Sequence, residues 1–189
     1  MYISSKQIFD SKVYDHDGHF VALVKHVIIN PDNGHVLAFL LNSKQPNLIS
    51  PQDVISWKNQ YLSLGQNYEL HHPQDLVRLH KLYYNRCTDL LKRSVRTENG
   101  FKIGQVIEYT INSKNFILAS ITVQKKVLGL FPGRTHLIHY SAIVEIKPRE
   151  IIIKDSTIKL SIRQSSRDKF ALRTDPTFDQ ALSEPEVRT

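Results

Sequence analysis

Asp15-His16-Asp17-Gly18 leads into Val21-Ala22-Leu23-Val24-Lys25-His26-Val27-Ile28-Ile29-Asn30, and Thr97-Glu98-Asn99-Gly100 leads into Ile103-Gly104-Gln105-Val106-Ile107-Glu108-Tyr109-Thr110-Ile111-Asn112. The two stretches lie 82 residues apart and have one pattern: a polar turn, then a long run rich in β-branched residues. Such runs favour strands. Asp17-Gly18 is a hairpin signal, since a tight primed turn needs positive φ. Both stretches continue to a second apolar run, then to Leu-Ile (Leu48-Ile49, Leu137-Ile138), and end in alternation at Tyr61-Leu62-Ser63-Leu64 and Glu150-Ile151-Ile152-Ile153. A self-similarity this long means two copies of one small β unit.

Outward from these stretches, Lys6 to Tyr14 reads as an opening strand, and Asn30-Pro31-Asp32-Asn33-Gly34 as a turn. Ser50-Pro51-Gln52-Asp53 reads as a short helical turn. The second copy of the 30–34 turn, Asn112-Ser113-Lys114-Asn115, has neither Pro nor Gly. Pro73 to Arg93 differs from both copies: Leu76, Leu79, Tyr83, Cys87, Leu90 and Leu91 recur at helical spacing behind a Pro suited to a first turn. The expected organisation is a first barrel over 1–70, a helical linker over 71–93, a second barrel over 94–160 and a flexible polar tail over 161–189, where apolar periodicity is lost.

The repeat resembles the PRC-barrel superfamily, named after the cytoplasmic domain of the photosynthetic reaction centre H subunit and including a domain of a bacterial ribosome maturation factor. The residues that carry the resemblance are the turns Asp17-Gly18 and Asn99-Gly100, the apolar strands around Leu23-Val24 and Gly104-Gln105-Val106, and the Leu-Ile endings Leu48 to Trp57 and Leu137 to Ile146. The first copy has Ala22-Leu23-Val24 where a Gly is usual. The resemblance implies an all-β chain of two tandem six-stranded PRC-type barrels that act as a non-enzymatic adaptor.

Composition bounds the function. The chain of 189 residues is 41% hydrophobic and 23% charged, as globular proteins are. No apolar run reaches the length that spans a bilayer. The start Met1-Tyr2-Ile3-Ser4-Ser5-Lys6 lacks a signal-peptide pattern, and Cys87 is the one cysteine, so a cytoplasmic location is expected. The net charge of +7 is uneven: residues 71–160 hold 15 Lys/Arg against 7 Asp/Glu, whereas residues 1–70 hold 5 against 6. Charge of one sign in one half suits an anionic partner; the plainer reading is a solvated face.

No nucleophile elbow, phosphate loop or His-Glu-x-x-His pattern occurs, so neither an enzyme nor a small-molecule substrate is expected, and no catalytic residue is assigned. The nine His residues do not assemble ligand sets in sequence, and Asp15 and Asp17 read as turn formers, so no metal or cofactor is expected. The candidate partner-binding segment is the loop Lys125-Lys126-Val127-Leu128-Gly129-Leu130-Phe131-Pro132-Gly133-Arg134, an insertion in the second copy, where Leu130 and Phe131 form an apolar tip between the cations Lys125, Lys126 and Arg134. Lys92, Arg93 and Arg96 extend the set. A protein or ribonucleoprotein partner is expected there; the alternative is peripheral association with an anionic membrane through the same loop. The tip folding back on the barrel is the competing structural role. A barrel that does not close fully leaves an edge able to pair in a homodimer.

Overall fold

The computed structural model describes residues 1–43, 47–72, 90–127 and 131–157. The helical linker and the tail expected from the sequence fall almost entirely outside these residues, as does Leu130. The chain divides into a compact unit Met1–Lys154, which holds both copies of the repeat, and a unit Asp155–Thr189.

The strands are β1 (Tyr2–Ser4), β2 (Lys12–Tyr14), β3 (Phe20–Ile29), β4 (Val36–Asn42), β5 (Asn47–Ile49), β6 (Val54–Lys58) and β7 (Tyr61–Leu64), followed in the second copy by β8 (Ser94–Thr97), β9 (Lys102–Asn112), β10 (Ile117–Val127), β11 (Phe131–His139), β12 (Ile143–Ile146) and β13 (Glu150–Ile153). A short helix α1 spans Ser5–Ile8. The first sheet runs β5-β4-β3-β2-β7-β6 and the second β11-β10-β9-β8-β13-β12, the same order strand for strand. Six strands of each copy therefore take equivalent places, with β1 as a seventh strand of the second sheet, and the all-β, two-barrel architecture is the one the repeat implies.

The equivalence extends to single residues. Gly18 and Gly100 share φ = 84°. Asp10 and Lys92, again 82 apart, sit at φ 64° and 66°. In β3 the inward residues are Ala22 and Val24, then Val27 and Ile29, because a bulge between Val24 and His26 shifts the phase by one. In β9 the buried positions Val106, Tyr109 and Ile111 follow the same shift, set by a bulge opposite Thr122/Val123. An extra residue bends a strand and raises its twist, which lets a short sheet curl into a barrel. Ala22 in place of the usual Gly does not remove the bulge. Gly104 has a separate reason: a Cβ there would collide with the Gln124 carbonyl and lie 2.9 Å from the Lys125 nitrogen, so β9 can approach β10 closely only without a side chain.

The stretch read as an opening strand, Lys6 to Tyr14, is corrected. Ser5–Ile8 is helical, and only Lys12–Tyr14 is extended. The Ser4 N–H donates to Gln7 Oε1 at 3.1 Å, the returning half of a capping box that starts the turn. Upstream of it, β1 does not join the first sheet. It pairs antiparallel with β9 of the second copy, Ile3 opposite Ile111. Ser113 N–H donates to the Met1 carbonyl (2.9 Å), and Tyr109 N–H to Ser5 Oγ (3.2 Å).

The copies also meet at their 30–36 and 112–118 turns. Val36 N–H donates to Phe116 O (2.8 Å) and Leu118 N–H to Gly34 O (2.9 Å), around a bridge between His35 and Ile117. These are equivalent residues pairing across a local two-fold axis. Gly34 has φ = 71°; its counterpart Phe116 adopts φ = 52° and packs its ring edge-on against Phe39, centroids 5.8 Å apart. A non-glycine residue in the left-handed region carries local strain, which the Phe39 contact offsets. The space over Gly34 is filled by Tyr140: a Cβ at Gly34 would lie 2.7 Å from the ring. Burial, and then the Asp32 charge, hold the Tyr140 phenol above its ordinary value of 10.0. Gly34→Ala is expected to cost about 1–3 kcal/mol through this overpacking, with the left-handed φ adding to it. Chemical denaturation of the variant, with and without Tyr140→Ala, checks this: the second change should return part of the loss.

Candidate docking surface

The segment 125–134, expected as a loop, is for the most part a β-ribbon. The pairing of β9 with β10 ends at Gln105 opposite Gln124, whereas β10 and β11 remain paired as far as Val127 opposite Phe131. The equivalent pair in the first copy, β4 and β5, matches only Phe39–Leu41 with Asn47–Ile49. The insertion thus lengthens one hairpin into an arm that runs past its neighbouring strand. Gly104 sits where β10 leaves β9, and a further irregularity in the β10–β11 register falls between Gln124 and Lys126. Lys125 and Arg134 are exposed on opposite strands of the arm. Lys126 pairs with Pro132 in register, and Phe131 with Val127.

The other candidate cations separate. Lys92 is exposed at the positive-φ position before β8. Arg93 is only 5% exposed, and its Nη1 donates to the Lys147 carbonyl at 2.6 Å, so it ties the β12–β13 turn to the start of β8 and does not present its charge to a partner. Arg96 is half-exposed and lies 3.7 Å from Glu150 in an ion pair. The surface that the structure keeps together is therefore the arm. Arg93 could not have been separated from its neighbours by composition, because its burial follows from the parallel pairing of β8 with β13.

Two other features bring polar groups together. Asp15, Asp17 and His19 bring potential metal-ligand atoms within 4.8 Å of one another. Their geometry is that of the turn itself. Asp15 Oδ1 accepts from the backbone N–H of Asp17 (3.0 Å) and of His19 (2.8 Å), and Asp15 Oδ2 lies 3.3 Å from His19 Nδ1. Asp17 Oδ1 is 3.1 Å from His16 Nε2. In the second copy Thr97 Oγ1 accepts from Phe101 N–H (3.2 Å) at the equivalent place, so the turn is closed there without a carboxylate. The His19 N–H bond lowers the Asp15 pKa below 3.8. A depressed carboxylate contributes stability above its unfolded value that is lost as pH falls through the folded one. Asp15→Thr, which installs the second copy's residue type, should remove part of the acid sensitivity below about pH 4, read by denaturation at a series of pH values.

The other feature is an open groove of about 630 Å³ at the far end of the second sheet, among Tyr2, Asn112, Leu137, His139 and Tyr140. No Asp, Glu, Lys or Arg lines it, and part of its lining, Tyr2, Ile117 and Leu118, also joins the two copies. Among the described residues, no helix is long and apolar enough to cross a membrane.

No curated protein matches the chain. The family model for the PRC-barrel domain matches residues 1–65 and 84–160, one span for each copy of the repeat. With two sheets of the same strand order and a match over most of its length, the chain belongs to the PRC-barrel family.

Proposed function

We propose that the chain is a non-enzymatic cytoplasmic adaptor that docks on a protein or ribonucleoprotein partner through its basic second barrel. The PRC-barrel fold is a general protein-interaction scaffold. The observation that carries the finer reading is the arm: one copy of a repeated hairpin is lengthened, runs past β9, and carries exposed Lys125 and Arg134 with Lys126 and Phe131 between them in sequence. Cations around an aromatic residue give steering and contact area on one element. The same chemistry supports a second reading, peripheral binding to anionic lipid, in which the cations hold the surface and the apolar tip inserts.

The readings separate by experiment. Lys125→Glu/Lys126→Glu/Arg134→Glu is expected to keep the fold, because Lys125 and Arg134 are exposed, and to weaken partner binding by about 10-fold or more. Capture from native lysate, with and without ribonuclease, compares this variant with the parent. Flotation with vesicles of mixed neutral and anionic lipid, at low and high salt, runs beside it. A defined partner lost in the variant, with no flotation, supports the adaptor. Salt-sensitive flotation with no captured partner supports the membrane reading.

A further inference from the structure

The two copies provide an internal control for every surface position. On the outer face of the first barrel, strand register sets two rows across four strands. One is Lys58, Tyr61, Lys12 and Leu23; the other is Ser56, Ser63, Tyr14 and Phe20. In the second barrel the matching rows are Glu150, Ser94 and Gln105, preceded by Lys147 whose N–H donates to the Glu150 carbonyl in the turn, and Glu145, Ile152, Arg96 and Lys102. There the face is a chain of ion pairs, Lys147–Glu145 (3.4 Å), Lys147–Glu150 (3.9 Å) and Arg96–Glu150 (3.7 Å). In the first barrel Tyr14, Phe20 and Tyr61 replace Arg96, Lys102 and Glu150. The barrel therefore does not require aromatic side chains at these positions.

The three rings form one cluster. Tyr61 stacks on Tyr14 (5.8 Å, 27°), and Phe20 meets Tyr14 edge-on (5.9 Å, 72°). Phe20 is 56% exposed and Tyr61 49%. Lys12 Nζ lies 5.9 Å from the Tyr61 centroid, and Lys58 is exposed opposite Tyr61. Neither row contains a carboxylate. Asp15 and Asp17 are engaged with His19 and His16 in the turn, and Asp10 lies outside the rows, exposed at the positive-φ position before β2.

We propose that this face is a second docking surface, distinct from the arm, and that its occupant is a segment of a partner protein carrying carboxylates beside apolar side chains. The rings supply the desolvated centre that binding energy concentrates on. Lys12 and Lys58 select for negative charge. The ring geometry favours protein over single-stranded nucleic acid. A nucleic-acid platform needs several open aromatic faces for successive bases, but Tyr61 is already engaged by Tyr14 and by the Lys12 ammonium and Tyr14 by both of its neighbours, which leaves Phe20 alone. This surface does not depend on the reading of the arm.

The test uses the full chain, isotope-labelled for NMR, titrated with short synthetic peptides alternating Glu with Leu or Pro. The same peptides with Lys for Glu, and an oligouridylate, are the comparison probes. The expected result is that the acidic peptides shift the amides of residues 12–14, 20–23 and 56–63. Tyr14→Arg/Phe20→Lys/Tyr61→Glu, the second copy's own residues, should then lower affinity by at least about 10-fold at an unchanged melting temperature. Lys12→Glu/Lys58→Glu leaves the rings in place, guards against misfolding of the triple variant, and should invert the preference toward the Lys peptides. The proposal is overturned if no acidic peptide perturbs this face, if the oligouridylate binds there in preference, or if both variants bind the acidic peptides as the parent does.

Discussion

Ile3→Asp is expected to cost more than about 4 kcal/mol, since it puts an unpaired charge into a packed site, and to loosen the second barrel first. Ile3 is 2% exposed and lies opposite Ile111 in β9. The neighbouring residues are fixed to the same strand, Ser5 to Tyr109 by a hydrogen bond and Lys6 to Glu108 by an ion pair at 3.6 Å. The first residues of copy one thus complete the sheet of copy two. Native-state hydrogen exchange resolves the order of events: amides of Tyr109 to Ile111 should lose protection before those of β3 and β4. Loss confined to the first sheet would contradict the pairing. A corollary is that the second copy expressed without residues 1–8 should be markedly less stable than the same copy within the chain.

Phe39→Ala is expected to cost about 3–5 kcal/mol, the range for removing a buried aromatic ring. Phe39 is fully buried, and two rings meet it edge-on, Trp57 at 5.3 Å within its own barrel and Phe116 at 5.8 Å from the other copy. The cost should exceed that of removing an isolated ring, because Phe116 holds a left-handed backbone whose strain this contact offsets. A double-mutant cycle with Phe116→Ala measures the shared part by urea denaturation. A coupling of about 0.5–1.5 kcal/mol is expected for an edge-to-face pair, and strict additivity would mean that the rings do not stabilise the junction between the copies.

Much of this architecture was legible because the two copies preserve the same physical requirements. The turns at Gly18 and Gly100, the existence of the long strands and the helical turn at Pro51–Asp53 follow from local chemistry that a sequence displays, whereas the bulges that set the strands' phase do not. The junction was less legible. The turn Asn112–Asn115 has no Gly, yet the backbone turns as Gly34 does, because Phe116 takes the left-handed position and a tertiary contact supports it. The stretch Lys6–Tyr14 has the pattern of one strand because Ile8 and Val13 both fit it; Ser4 with Gln7 three residues on is the signal of the helical turn between. Nothing local shows that β1 serves the other copy, since periodicity tells which face is buried but not against which strand.

The surfaces divide in the same way. The arm was visible as an insertion carrying charge and apolar residues together, although its extended, paired backbone was not. Arg93 has the sequence context of a surface cation, and only the fold places it under the β12–β13 turn. The aromatic face is not legible locally, because Tyr61 is far in sequence from Tyr14 and Phe20 and each ring fits a strand. Aligning the copies residue by residue would have set them against Arg96, Lys102 and Glu150 and shown the exchange of ion pairs for rings.

The docking role of the arm is tested most directly by placing a photo-crosslinking amino acid, p-benzoylphenylalanine, at position 131 in the living cell and identifying what it captures on irradiation. The account predicts a discrete covalent adduct with another protein, lost when Lys125, Lys126 and Arg134 are changed to Glu in the same chain. Adducts to lipid alone, or a protein adduct that survives the charge reversal unchanged, would contradict it.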